Sequence, residues 1–292
     1  MKGEVGSMKF ENLLESLRVD NSEIISFRYH KIVRTINQYY WRINSDSKNC
    51  RYVGSYGRGT AIKNLSDIDM LVILPKTLFT RFSDYKFNGQ SSLLQNVKKA
   101  LNLTYARTST KADGQVVVVE FSDGTKFEVV PAFKEGELFF YPDSNQNGSW
   151  KKCNPIKEVE AINLINKFSD GRLKKITKLT RAWKKANDVD ISGILIDCLA
   201  MEFILEKDGK YPTIEILFGE FLLYLAKQRE KENWWILGSN DIINRNGMLF
   251  EEKALKGVDS LLSGVNLKLK GLTLSADEHW KNLFGKFVNG VM

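Results

Sequence analysis

The chain has 292 residues, of which 43% are apolar, and its formal net charge is +8. A chain of this length can form one large domain or two lobes, and its apolar content excludes a disordered protein. No apolar run reaches the roughly 18 residues needed to cross a membrane. Residues 1–15 lack the apolar core of a secretory signal, so the sequence predicts a cytoplasmic protein with no membrane partner.

The few cysteine and histidine side chains exclude several kinds of site. The cysteines are Cys50, Cys153 and Cys198, and the histidines are His30 and His279. Without a Cys-x-x-Cys pair, the sequence predicts reduced thiols rather than a zinc ribbon or a disulfide framework. The excess of Lys and Arg suits polyanionic ligands such as nucleotides, although a solvated basic surface would carry the same charge.

Hydrophobic periodicity predicts most of the strands in the first half of the chain and most of the helices in the second. The first half has predicted helices over 21–44 and 91–103 and predicted strands at 51–53, 67–74, 115–121 and 126–130. The segment 141–155 is rich in Asn, Gly, Ser and Pro, so it is predicted as an ordered loop around Trp150. Helices are predicted over 156–169, 172–187, 192–207, 213–229 and 250–263. We therefore expect an α+β protein with an α/β lobe over 1–155, a helical lobe over 156–292, and a site in the cleft between them.

A glycine–serine turn followed by two spaced aspartates is the most informative motif. Gly54 and Ser55 precede a polar segment, and Asp67 and Asp69 then begin an apolar strand. Because strand side chains alternate with a period of two, both aspartates point to the same side. Adjacent carboxylates repel each other unless a cation lies between them, and Mg²⁺ favours carboxylate oxygens while keeping positions open for phosphates. With backbone N–H groups and a hydroxyl available for phosphate oxygens, the motif predicts a metal-dependent nucleotide site.

Glu128 is a third acid, and it lies within an apolar strand. Residues 122–125 contain Asp-Gly and join the strands at 115–121 and 126–130 into a predicted hairpin. A buried carboxylate needs a partner, and a metal at Asp67 and Asp69 would supply one if the strands are neighbours. Alternation alone leaves open the other interpretation, in which Glu128 faces solvent on an edge strand.

The helix predicted over 172–187 is the most basic of the predicted helices. Lys174, Lys178, Arg181 and Lys185 lie on one face of this helix because their spacings match the helical period. This face could hold phosphate oxygens, and for each of these residues a solvated surface role is the equal alternative.

Together these motifs resemble one enzyme family. Gly-Ser, then Asp-x-Asp, then a third acid on a later strand is the pattern of the DNA polymerase β-like nucleotidyltransferase superfamily. The fuller blocks resemble the bacterial cGAS/DncV-like nucleotidyltransferases, or CD-NTases, and run in family order from about Gly54 to Met201. They are Gly-Ser-Tyr-Gly-Arg-Gly-Thr-Ala-Ile, Ser-Asp-Ile-Asp-Met-Leu, Glu-Val-Val-Pro-Ala-Phe, Trp150 with Asn154-Pro155, and Leu-Thr-Arg-Ala-Trp-Lys. Two positions depart from the family pattern, which usually has aspartate at Glu128 and often has lysine at Arg181.

The resemblance implies a bilobal polymerase β-like fold, with a mixed β-sheet palm lobe, a long N-terminal helix and a helical C-terminal lobe. It implies template-independent synthesis of a cyclic di- or trinucleotide from nucleoside triphosphates, as a signal in bacterial anti-phage defence (CBASS). Two Mg²⁺ ions, for which Mn²⁺ could substitute, would bind the catalytic acids Asp67, Asp69 and Glu128. The phosphates would bind Gly54, Ser55, Lys178, Arg181 and Ser192.

The implied partners are the nucleoside triphosphates, a downstream effector that responds to the nucleotide product, and a protein activator. Animal cyclic GMP-AMP synthase carries a zinc-binding insertion for DNA sensing, and no such Cys/His cluster is present in this sequence. We therefore expect no DNA-sensing zinc element. Two alternatives stay open: a nucleotidyltransferase that modifies an RNA, a protein or an antibiotic, and a nucleotide-binding regulator that has lost catalysis. The retention of all three acids favours an enzyme.

Overall fold

The computed structural model describes residues 10–63, 67–207, 209, 212–239, 241–289 and 291. These residues divide into two compact units. The α/β unit contains residues 20–58 and 67–156, and the helical unit contains residues 10–19, 59–63 and the described residues from 157 onward. A mixed sheet in one unit and helices in the other confirm the α+β class predicted from the sequence.

The sequence-based division places residues 10–19 and 59–63 in the α/β lobe, but both segments belong to the helical unit. Phe10, Leu13 and Leu17 are buried in the core of the helical unit, and so is Ile62. Their apolar side chains therefore determine where residues 10–19 and 59–63 belong. The later change of unit falls after residue 156, next to the predicted boundary after residue 155.

The helices and strands are numbered in chain order. The helices are α1 (Phe10–Ser16), α2 (Ser22–Ile36), α3 (Gly54–Arg58), α4 (Lys76–Ser83), α5 (Gly89–Asn102), α6 (Pro155–Phe168), α7 (Arg172–Ala186), α8 (Gly193–Glu206), α9 (Ile214–Ala226), α10 (Glu251–Leu269) and α11 (Thr273–Phe284). The strands are β1 (Cys50–Tyr52), β2 (Asp67–Ile73), β3 (Ser109–Asp113), β4 (Val116–Glu120), β5 (Lys126–Glu135), β6 (Leu138–Asp143), β7 (Ser149–Cys153), β8 (Asn233–Trp235) and β9 (Ile242–Asn244). A π-helical turn (Asn37–Trp41) follows α2, and a 3₁₀ turn (Gly285–Val288) follows α11.

Seven strands among the described residues of the α/β unit form one mixed sheet. Five of them lie side by side in the order β1-β2-β5-β4-β3, and β6 and β7 extend the sheet from β5. The first part of β5 pairs with β4, its last residues pair with β6, and β7 pairs with β6. The central strands β2 and β5 are parallel, whereas the other pairs are antiparallel. The predicted hairpin is present as β4 and β5, and Gly124 takes the positive φ of +84° that its turn requires.

The prediction of a loop over 141–155 is wrong in part, because β6 and β7 form an antiparallel hairpin there. Only the turn between the two strands has the Asn- and Gly-rich composition that suggested a loop. The sequence of β7 is Ser-Trp-Lys-Lys-Cys, and it lacks apolar alternation because none of its residues is buried. β7 pairs with β6 only, so it is an edge strand. Lysines are typical of such an edge strand, where they discourage pairing with other chains.

β5 is longer than predicted because it continues through Pro131 to Glu135. A proline lacks the N–H that a central strand would donate. β4 pairs with β5 only as far as Val129, and β6 pairs with it only from Phe133. Pro131 therefore lies in the gap between these two partners, where its missing N–H breaks neither ladder.

Large aromatic side chains fill the core of the helical unit. The ring of Phe10 packs against those of Phe218, Trp280 and Phe284, with centroid separations of 6.3, 5.6 and 5.7 Å. This packing joins α1 to α9 and α11, two of the helices on which the unit is built. None of the helices in the described part of the chain is both long and apolar enough to span a membrane.

Candidate active site

The acids predicted from the sequence lie at the centre of the mixed sheet. In the parallel pairing of β2 with β5, Asp69 is directly opposite Glu128, and Asp67 is opposite Lys126. The intervening residues Ile68 and Phe127 are fully buried on the other face of the sheet. Since neighbouring side chains in register share a face, Glu128 points to the side of Asp69, and a hydrogen bond joins their carboxyls.

Burial and mutual repulsion disfavour full ionisation of this acidic cluster. Burial is the main cause that raises the pKa of Glu128 to about 7, and the negative charges of Asp69 and Asp67 raise it further. Burial also raises the pKa of Asp69, while the nearby guanidinium of Arg58 opposes that rise. The hydrogen bond between the two carboxyls also raises the pKa of Glu128 and acts to lower that of Asp69.

Arg58 is a residue of this site that the sequence analysis did not assign. It is buried at the end of α3, and its positive charge acts on the Asp69 carboxylate. Its place within the Gly-Ser-Tyr-Gly-Arg motif is a signal that could have identified it.

Gly54 lies directly against the Asp69 carboxylate. Its φ is +59°, and a Cβ added there would lie 2.6 Å from Cγ of Asp69 and closer still to Oδ2. The backbone N–H of Val53 donates to the carbonyl of Asp69 at 3.0 Å, which holds the two segments together. The predicted glycine–serine turn is thus the start of the short helix α3, with Ser55 half-buried in its first turn. Only a glycine fits beside this carboxylate.

The three acids do not form a preformed metal-binding site. In the described ranges, no three His, Cys, Asp or Glu side chains are arranged so that they could hold a metal ion as they stand. The donors themselves are carboxylate oxygens, which are the ligands that Mg²⁺ prefers.

Two of the predicted phosphate-binding residues lie in the helical unit with polar groups that remain usable. Lys178 is half-buried in α7, and burial lowers its pKa, as do the positive charges of Lys174 and Arg18. Ser192 caps the N-terminus of α8, where its hydroxyl oxygen accepts the N–H of Leu195 at 3.3 Å. The hydroxyl proton of a capping serine is still available for a ligand.

Arg181 has a structural role that differs from the predicted phosphate contact. Its guanidinium donates to both carboxylate oxygens of Asp197, at 2.7 and 2.9 Å, and to the carbonyl of Gly193 at 2.8 Å. The Arg181 side chain is almost buried and that of Asp197 is fully buried. Breaking such a pair to bind a phosphate would leave a buried carboxylate without its countercharge, which opposes the predicted phosphate contact.

Asp197 and Thr60 complete a buried polar cluster that the sequence analysis missed. The hydroxyl of Thr60 donates to Asp197 at 3.1 Å, and both side chains are inaccessible to solvent. The signal was present in α8, where Asp197 stands between Ile196 and Cys198 in an otherwise apolar run. An acid at such a position requires partners, which here are an arginine and a threonine.

Comparison with known proteins gives a consistent result. The profile of the family described as the Second Messenger Oligonucleotide or Dinucleotide Synthetase domain matches residues 5–166. A probable cyclic nucleotide synthase of Bacillus cereus (strain VD146) is 21% identical over 266 residues, which cover 80% of this chain and 80% of that protein.

Several solved structures have a similar fold. Escherichia coli DncV in its 3'-deoxy GTP-bound form has a TM-score of 0.71 at 12% identity, over 97% of this chain and 98% of that chain. Bradyrhizobium diazoefficiens CdnG in complex with GTP has a TM-score of 0.68 at 10% identity, over 97% and 96%. E. coli MS115-1 CdnC in complex with HORMA-deltaN has a TM-score of 0.67 at 14% identity, over 96% and 98%.

At these identities the solved structures establish the fold, which is that of the polymerase β-like CD-NTases. The matched profile covers more than half of the chain and includes the acids on both β2 and β5. This chain therefore belongs to the Second Messenger Oligonucleotide or Dinucleotide Synthetase family, and it is a nucleotidyltransferase of the bacterial CD-NTase type.

Proposed function

We propose that this nucleotidyltransferase makes a cyclic di- or trinucleotide from nucleoside triphosphates, without a template, by two-metal nucleotidyl transfer. The observation that carries the proposal is the register of β2 and β5, which pairs Asp69 with Glu128 while Gly54 lies against the Asp69 carboxylate. Family membership supports a second-messenger product, and the probable cyclic nucleotide synthase of B. cereus supports a cyclic one.

The three carboxylates are the proposed metal ligands. Bound Mg²⁺ would neutralise the charge that develops on the phosphoryl group and would activate the attacking hydroxyl. Asp67 and Asp69 would hold the ion on the triphosphate, and all three acids would hold the second ion. Glu128 must then release its hydrogen bond to Asp69, and its side chain is one methylene longer than that of aspartate, or about 1.5 Å in reach.

Separate groups would bind the phosphates. Gly54 has no side chain, so phosphate oxygens can approach its backbone, and the Ser55 hydroxyl is the neighbouring donor. Lys178 would contribute a positive charge, and Ser192 would donate the proton that its capping hydrogen bond leaves free.

The proposed product is a signal in bacterial anti-phage defence (CBASS), where it switches on a separate effector. The complex of CdnC with HORMA-deltaN supports a protein partner for this chain, and an activator is the partner proposed. Nucleoside triphosphate substrates and the reduced thiols predicted from the sequence favour a cytoplasmic location.

The test is to incubate the protein with Mg²⁺ and ATP, GTP, CTP and UTP, treat the mixture with phosphatase, and analyse it by mass spectrometry. A phosphatase-resistant cyclic nucleotide is the expected product. The variant Asp67→Ala/Asp69→Ala is expected to lose this product while its circular dichroism spectrum is unchanged. The matched control is Asp84→Ala/Asp113→Ala, which removes two acids that are exposed in the same unit.

Two results would contradict the proposal. Product formation by the variant without Asp67 and Asp69 would show that the site is misassigned. Transfer of a nucleotide only after addition of an RNA, a protein or an antibiotic would identify a nucleotidyltransferase with another acceptor.

A further inference from the structure

A short segment that joins the two motif regions is embedded in the helical unit. This strap, Gly59–Lys63, follows α3 and precedes the residues that lead into β2. Ala61 and Ile62 are buried, and the N–H of Lys63 donates to the carbonyl of Leu17 at 2.8 Å. The strap is therefore fixed by packing and by the backbone at its far end.

At its near end the strap is fixed by a buried charge. Thr60 donates to Oδ2 of Asp197 at 3.1 Å, and the same carboxylate accepts two N–H groups of Arg181. Because Asp197 is fully buried, its charge depends on these donors. Removing the hydroxyl of Thr60 would leave a carboxylate oxygen short of one donor, which is the costly way to lose a hydrogen bond.

The residue before Thr60 is also held. Gly59 has a φ of +71°, and a Cβ added there would come within 3.0 Å of Nζ of Lys174. That ammonium group donates to Oδ1 of Asn163 at 2.7 Å, so its position is set by α6. The strap thus lies beside the Lys174 side chain of α7 at Gly59, and the hydroxyl of Thr60 bonds to α8.

We propose that Thr60 is a positioning residue for nucleotidyl transfer. Its hydrogen bond to Asp197 fixes the strap, and the strap fixes the end of α3, the helix that carries Ser55 and the buried Arg58. Arg58 is two residues from Thr60, and its charge acts on the Asp69 carboxylate. Displacement of a substrate-contacting group by about 1 Å can lower the rate by about 100-fold, so a shift of this anchor is expected to reach the chemistry.

The inference rests on the proposed function, and the experiment compares three variants. Thr60→Val removes the hydroxyl at nearly constant volume, and Thr60→Ser retains the hydroxyl but removes the methyl group. The matched control is Thr180→Val, because Thr180 is equally buried in the same unit and donates only to the carbonyl of Ile176, at 2.7 Å. For each variant, kcat and KM for ATP are measured, together with amide hydrogen exchange of peptides that cover residues 54–63.

We expect Thr60→Val to lower kcat/KM by about 10- to 100-fold and to speed amide exchange across residues 54–63. Thr60→Ser is expected to restore most of both, and Thr180→Val to change neither. A Thr60→Val variant that matches the wild type in rate and in exchange overturns the proposal, as does an equal loss of activity in Thr180→Val. The exchange measurement needs no substrate, so it tests the anchor even if the wild-type protein makes no cyclic product.

Discussion

Replacing Gly54 with alanine tests whether catalysis depends on the close packing of Gly54 against Asp69, the proposed catalytic acid. The new Cβ would lie 2.6 Å from Cγ of Asp69 and 2.9 Å from its Cβ, whereas ordinary contact begins at 3.4 Å. The carboxylate must therefore move by about 1 Å, a displacement that can lower the rate of a positioned reaction by about 100-fold. Gly54→Ala also places a side chain at a φ of +59°, which costs about 1–2 kcal/mol of stability.

Gly136→Ala separates these two effects. Gly136 has a φ of +60°, and no atom lies within 4 Å of the position that a Cβ would take. Both variants are expected to lose the stability that a side chain at positive φ costs, whereas only Gly54→Ala is expected to lose about 100-fold in the rate of product formation. If Gly54→Ala and Gly136→Ala form product at similar rates, the Asp69 carboxylate is not held in the way that we infer.

Two further predictions concern stability rather than catalysis. Arg181→Met leaves the buried charge of Asp197 without its main partner, so it should lower the free energy of unfolding by about 3–5 kcal/mol in chemical denaturation. Lys76→Met, which removes one partner of an exposed ion pair, should lower it by less than about 1 kcal/mol, and equal losses would refute the role given to Asp197. The hydrogen bond from Arg28 lowers the pKa of Asp123 to about 2, below its unfolded value of about 4. The stability that the ionised Asp123 contributes is therefore present above pH 4 and is lost as the pH falls towards 2. The variant Asp123→Asn should lose less stability than the wild type over this pH range. The difference should be small because the carboxylate is half-exposed.

The sequence was informative wherever a local rule decides the structure. The period of two along a strand places Asp67 and Asp69 on one face, and the Asp-Gly turn predicts the hairpin of β4 and β5. Apolar periodicity located α5 and α7 to within a few residues. The hairpin of β6 and β7 was missed because no residue of β7 is buried, so its sequence lacks the alternation that marks a half-buried strand.

By itself, the sequence identified the candidate residues for the chemistry: two spaced aspartates, a third acid on a later strand, and a glycine before a serine. It could not determine which way Glu128 points, because either face of β5 satisfies the alternation around it. The parallel register with β2 decided that question by placing Glu128 opposite Asp69.

Arg181 shows the same limit of sequence reasoning. The basic helix face predicts a phosphate contact for Arg181, but in the structure its guanidinium is paired with Asp197. Asp197 lies on α8, and its contact with Arg181 exists only after α7 and α8 have packed. Local sequence patterns set the secondary structure and the types of side chain. Which charges meet is decided by packing between separate elements, because a buried charge is stable only beside its partner.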